Sequence, residues 1–208
     1  PLDLIETLLQ AGASLAIRNH PGMNPVELAQ RLGDDEVATR LQAEAQVRQP
    51  EAFLALMEAV EKNDVPVVRR IVQETPELVH MKDAQGFAPL SRAARTGKTE
   101  LVEILLGAGA DPNQLDRWMG AHAGHKASFW GHADVLRKLV AAKIDLDAQG
   151  RYNGYTALHD AVSQRHYEAV QVLVEAGART DVVAHDGTTA RSIAEGLGDP
   201  RLLKLVGK

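Results

Sequence analysis

Six of the eight histidines fall between His122 and His185, a crowding that raises metal binding and acid-base chemistry before anything else. His122 and His125 stand three apart, a spacing that can set two imidazoles on one side of a helix as a zinc site requires, with Asp116 near in sequence. Lys126, Tyr152, Tyr155 and Asp160 follow within the same stretch. Imidazole and amine serve as general bases once their pKa is tuned, and a phenol as an acid. His122, Lys126 and Asp160, with Tyr152 and Tyr155, therefore form a candidate ligand or acid-base set. Against it, the chain has no Gly-rich phosphate loop, no H-E-x-x-H and no G-x-S-x-G elbow. The expectation is no cofactor and no metal, with catalysis held as the runner-up.

Aromatic residues are as unevenly spread. Of eight, Trp118, Phe129, Trp130, Tyr152 and Tyr155 lie within 38 residues. Trp and Tyr are large, rigid and partly polar, so they anchor partners at low entropic cost. Lys126 precedes Trp130 by four, which places both on one side of a helix, and Arg117 and Arg151 flank the patch. The functional reading is a partner-binding surface made of Trp118, Met119, Lys126, Phe129, Trp130, Tyr152, Asn153, Tyr155 and Asp160. The bland alternative is mutual packing of the rings beside a solvated ladder of charges.

The remaining composition narrows the classes. The 208 residues carry 23 Lys and Arg against 28 Asp and Glu, with no basic run, so nucleic acid is not expected as a partner. No stretch approaches 18 consecutive apolar residues, and no membrane contact is expected. Zero Cys removes disulfides and thiolate chemistry and fits the expected cytoplasmic location.

What must position these side chains is a repeat. Gly86, Gly120, Gly154 and Gly187 are spaced 34, 34 and 33 apart, and Ala93, Ala127, Ala161 and Ala194 follow each by seven. Lys98, His132 and His166 then open segments such as Glu100 to Leu106 and Glu168 to Val174, in which apolar residues recur at i, i+3, i+4. Gly107 to Asp111 and Gly177-Ala178 supply C-terminal caps. Two short helices cannot bury an apolar face alone, so the units must stack. Thr156 and Thr189 are placed to cap first helices, and Pro89 and Pro25 sit where a missing N–H is harmless.

Gly154-Tyr155-Thr156-Ala157-Leu158-His159-Asp160-Ala161 resembles the G-x-T-P-L-H-x-A signature of ankyrin repeats, and Gly107 to Asn113 resembles their G-A-D-x-N turn. The resemblance implies an all-α ankyrin-repeat solenoid of helix-turn-helix units with hairpin-like fingers and a groove lined by fingers and first helices. It assigns His125 and His159 to structural bonds with neighbouring fingers, and Trp118 and Tyr152 to the fingers. Arg92, Lys126 and Asp160 occupy one position in three successive units. In the unit of Lys126 the pattern lapses: His122 stands for Thr, Ala123 for Pro and Gly124 for Leu. The last unit is more polar, with Arg191 where Leu158 sits earlier, and the array is expected to end at Val206.

Shifting residues 12–34 by 165, five units of 33, aligns His20 with His185, Gly22 with Gly187 and Ala29 with Ala194. The organisation expected is a partial ankyrin array at 1–45, an irregular junction at 46–51 and a main array of about five helix pairs at 52–208, with the first segment read as the tail of a longer array. The function expected is protein–protein interaction: recognition of a protein or peptide in the groove. The alternatives are a small-ligand or catalytic site around His122, Lys126, Tyr152 and Asp160, and a spacer segment of a longer array. Self-association through the N-terminal half-repeat is a second partner mode.

Overall fold

The computed structural model describes residues 50–117 and 119–207. Trp118 lies outside the described residues, as do the expected partial array at 1–45 and Pro25. Ala52–Lys208 form a compact unit by themselves.

Five helix pairs run along this unit: α1 (Glu51–Lys62) and α2 (Val65–Glu74), α3 (Pro89–Arg95) and α4 (Thr99–Gly107), α5 (Ala123–Phe129) and α6 (Ala133–Ala141), α7 (Ala157–Ser163) and α8 (Tyr167–Glu175), α9 (Ala190–Leu197) and α10 (Pro200–Val206). A 3-10 turn at Pro76–His80 follows α2, and the described residues hold no strand. From α3 onward the first helices pack in sequence, α3 on α5, α5 on α7 and α7 on α9. Second helices do the same from α2 through α4, α6 and α8 to α10. The result is an all-α solenoid of two helical layers sharing one core.

Spacing explains the layers. Ala93, Ala127, Ala161 and Ala194 are all fully buried, and their small side chains let neighbouring first helices approach. Leu101 and Leu105, Leu136 and Leu139, and Val170 and Leu173 fill the core from the second layer. First helices of seven residues, such as α5 and α7, are far too short to persist alone, so packing and caps must hold them. Thr156 and Thr189 each accept from the backbone N–H three residues on, and Asp64 and Asp199 cap α2 and α10. The last helix ends at Val206, itself buried.

Fingers join one pair to the next, each closed by a backbone bond. Asp83 N–H donates to the Phe87 carbonyl at 2.9 Å and Ala184 N–H to Thr188 at 2.8 Å. The two middle fingers close over one residue more, from Asp116 to Ala121 and from Gly150 to Tyr155, both at 2.8 Å. Those two fingers are the ones that turn a spacing of 33 into 34. At Gly120 the backbone is left-handed, with φ 59°, and a Cβ would lie 2.7 Å from that of Arg151 on the next finger. Glycine is thus required twice over, for the turn and for the close stacking.

Candidate functional site

A ladder of charge runs up the finger-facing side of the first helices, and its rungs are not alike. In the first complete unit, Asp83 at the finger base accepts the Phe87 N–H at 2.9 Å and binds Arg92 of α3 at 2.5 Å. Arg92 also reaches Glu61 of α1 at 2.8 Å. One unit on, Asp116 repeats the device: Oδ1 accepts the Met119 N–H at 2.7 Å, and Oδ2 pairs with Lys126 Nζ at 2.7 Å. The side chain of Asp116 is wholly buried and that of Lys126 nearly so. Phe87 lies between the two cations, its ring centre 5.1 Å from Arg92 and 5.2 Å from Lys126.

The third rung is inverted. Gly150 occupies the finger base where Asp116 stood, and Asp160 the helix position of Lys126. The carboxylate has moved to the helix, and the finger base supplies no charged partner for it. The Asp160 carboxylate, unlike its main-chain carbonyl, accepts no hydrogen bond from any described residue, and burial pushes it up to about 7 against a pull downward from Lys126.

Beside it is a cavity of about 280 Å³ whose walls include Met119, Lys126, Phe129, Trp130, Asn153 and Asp160. Phe129 and Trp130 meet edge to face at 5.6 Å, and Trp130 is 54% exposed. Phe129 and Met119 are also exposed large apolar residues, so an open aromatic rim surrounds an ionisable floor.

The histidines below the rim are engaged in the fold. His122 is the N-cap of α5, its Nδ1 accepting the Gly124 N–H at 3.0 Å and its Nε2–H donating to the Asp145 carbonyl at 3.0 Å. His125 Nδ1 accepts the His122 N–H at 3.4 Å, and its Nε2–H donates to the Tyr155 carbonyl of the next finger at 3.0 Å. Both rings are neutral in this scheme, which fits burial that lowers His122 and takes His125 down to about 3. Two Nδ1 lone pairs consequently face each other at 3.2 Å. In the next unit Thr156 replaces His122, and its hydroxyl can donate to His159 Nδ1 at 2.8 Å while accepting the His159 N–H.

Why His122 is tolerated follows from Gly124. Leu158, one unit on, is fully buried. A Cβ on Gly124 would lie 2.9 Å from His122 Cε1 and 2.7 Å from Ile144 Cδ1. The imidazole and Ile144 crowd the space that the missing leucine side chain would enter.

Of the residues expected to bind a partner, Met119, Lys126, Phe129, Trp130, Asn153 and Asp160 come together around the cavity. Tyr152 stands away from it, 78% exposed on its finger. Tyr155 is drawn into packing instead, stacked on His159 at 5.1 Å with its hydroxyl 3.3 Å from Asp186. The acid-base set does not converge: Lys126 and Asp160 line the cavity, whereas His122 is 1% exposed with both ring nitrogens occupied. Among the described residues no three His, Asp or Glu side chains form a group that could hold a metal. Arg95, which sequence reasoning passed over, also lines the cavity. Its position three residues beyond Arg92 on the same short helix was the available signal.

Residues 26–116 and 90–186 match the family described as ankyrin repeats (3 copies). The chain is 34% identical over 127 residues to an ankyrin repeat-containing protein of Treponema pallidum (strain Nichols), a match spanning 61% of this chain and 42% of the relative. It is 37% identical over 131 residues to the B-cell lymphoma 3 protein of Homo sapiens, spanning 60% and 29%. A third relative, the ankyrin repeat and SAM domain-containing protein 6 of Rattus norvegicus, is 30% identical over 124 residues, spanning 60% and 13%. The chain thus spans less than half the length of these relatives. Among the described residues no helix is long and apolar enough to cross a membrane.

Proposed function

The chain belongs to the ankyrin-repeat family, a general protein–protein interaction module, and from that premise we propose that it recognises a protein or peptide along the finger-facing side of α5 and α7. The observation that carries this reading is the exposure of Met119, Phe129 and Trp130 around a cavity with an ionisable floor. Large apolar side chains left open beside polar groups are the usual anatomy of an interface centre. The scaffold beneath them is prestacked, so little conformational entropy would be lost on binding.

The test compares the proteins retained by the wild-type chain and by a folded Trp130→Ala variant, by quantitative mass spectrometry. Loss of a central Trp should weaken a genuine partner by about thirtyfold. Equal retention of every protein would refute the proposed face and favour a spacer role.

A small-ligand or acid-base site in the same cavity is the second reading, favoured by the carboxyl of Asp160 being raised to about 7. It ranks second because Lys126 is committed to Asp116, and His122 and Tyr152 do not reach the cavity.

A further inference from the structure

Building on the recognition face proposed above, we infer that the cavity beside Asp160 takes one cationic side chain, Arg or Lys, from the partner. The inverted rung supplies the reason. Arg92 is matched by Asp83 and Glu61, and Lys126 by Asp116. Arg95, the other cation in the cavity wall, lies 3.6 Å from Glu61 and makes no hydrogen bond to Asp160. Asp160 is therefore the carboxylate of the ladder that makes no ion pair of its own: Gly150 and not a charged residue faces it from the finger, and Lys126, which acts on it through space, is already paired with Asp116. His125 offers it nothing either, since its Nε2–H is given to the Tyr155 carbonyl.

Size and surroundings select the occupant. About 280 Å³ lies just below the range of small-molecule pockets and suits one long side chain. Phe129, Trp130 and Met119 offer apolar surface to an aliphatic stem, and an aromatic face attracts a cation. Arg fits best, since its planar guanidinium can stack on indole while donating two parallel bonds to a carboxylate. An acidic side chain would meet Asp160 beside two cations that already have carboxylates, Lys126 with Asp116 and Arg95 with Glu61, and a neutral one would leave the Asp160 charge unanswered.

The experiment is selection of a random-peptide display library on the immobilised full chain, followed by fluorescence-anisotropy titration of the selected peptides. Peptides enriched on the wild type should share one Arg or Lys. Replacing an Arg by citrulline, which keeps its shape and removes the charge, or a Lys by acetyl-lysine, should weaken binding about tenfold or more, as should Asp160→Asn. Unfolding curves on the same variant confirm that it is folded. Peptides that need Trp130 but carry no basic residue, or whose basic residue is indifferent to Asp160→Asn, would overturn the cation pocket and leave the recognition face standing. Peptides indifferent to both Trp130→Ala and Asp160→Asn, or no enrichment at all, would overturn both.

Discussion

Replacing Asp160 by Asn should make the protein more stable at pH 8 and leave it unchanged at pH 4. The carboxyl lies at about 7 in the folded chain against 3.8 for a free side chain, with burial as the first cause and Lys126 opposing it. Between those values the folded state holds a proton that the unfolded state has released. Stability therefore falls as pH rises from about 4 to 7, because the native state binds more protons there. The difference caps the penalty of the ionised form at about 4 kcal/mol. Asp160 is only half-buried, and solvent screening reduces the figure to about 1–2 kcal/mol. Asn keeps the shape and discards the charge. Urea unfolding of the full chain at pH 4, 6 and 8 should show the variant gaining that amount at pH 8, less at pH 6 and nothing at pH 4. A variant no more stable than wild type at pH 8, or a gain that does not change with pH, would refute the assignment of an unmatched carboxylate.

Three further outcomes follow from the packing. Gly124→Leu alone should destabilise by about 1–3 kcal/mol through overpacking against His122 and Ile144, and His122→Thr alone by a similar amount through an unfilled space. The double variant should recover at least 1 kcal/mol of the summed loss, and purely additive losses in thermal unfolding would refute the exchange of space between the two sites. Burial lowers His122, His125 and His159 below the ordinary imidazole range, so their contribution is full above about pH 6.5 and is lost as pH falls. The double variant, lacking one of these rings, should show a shallower acid limb in pH titration of the unfolding midpoint, and an unchanged limb would exclude His122 as a contributor. At Gly131, φ is 76° and a Cβ would fall 2.6 Å from the ring of His166, whose Nε2–H donates to the Phe129 carbonyl. Gly131→Ala should therefore lose about 2 kcal/mol by urea unfolding, and a loss below about 0.5 would show that the ring moves aside freely.

The helices, caps and stacking were legible because each rests on local spacing: Thr156 before its helix, Ala161 seven residues after its glycine, leucines at helical intervals. The equivalence of Arg92, Lys126 and Asp160 was legible for the same reason. Their differing partners were not, because Asp83, Asp116 and Gly150 stand at finger bases, and aligning those requires knowing that two fingers are one residue longer. The spacings of 34, 34 and 33 held that information, although nothing in them says where within a unit the extra residue falls. Exchange of space between His122 and Gly124 was hidden more deeply, since it depends on where an imidazole points. Tyr155 is adjacent in sequence to the aromatic patch, but its orientation onto His159 is set by its finger and could not be read from proximity.

If a partner cation seats on Asp160 as proposed, stability and recognition pull in opposite directions at one helix position. In a solenoid each unit contacts only its neighbours, so the penalty of the inverted rung is confined to the contacts that α7 makes with α5, α8 and α9. In the units before it the rungs are closed, Arg92 on Asp83 and Lys126 on Asp116. A globular core would spread such an unmatched charge over the cooperative whole, whereas a stacked array can keep one rung open while its neighbours remain closed. A cation arriving at Asp160 would complete the pattern already present in those neighbours, with the partner supplying what Asp83 obtains from Arg92. Binding and folding then depend on the same carboxylate with opposite sign: Asp160→Asn should strengthen the fold while weakening the complex. A residue that merely packed the cavity would lose both together.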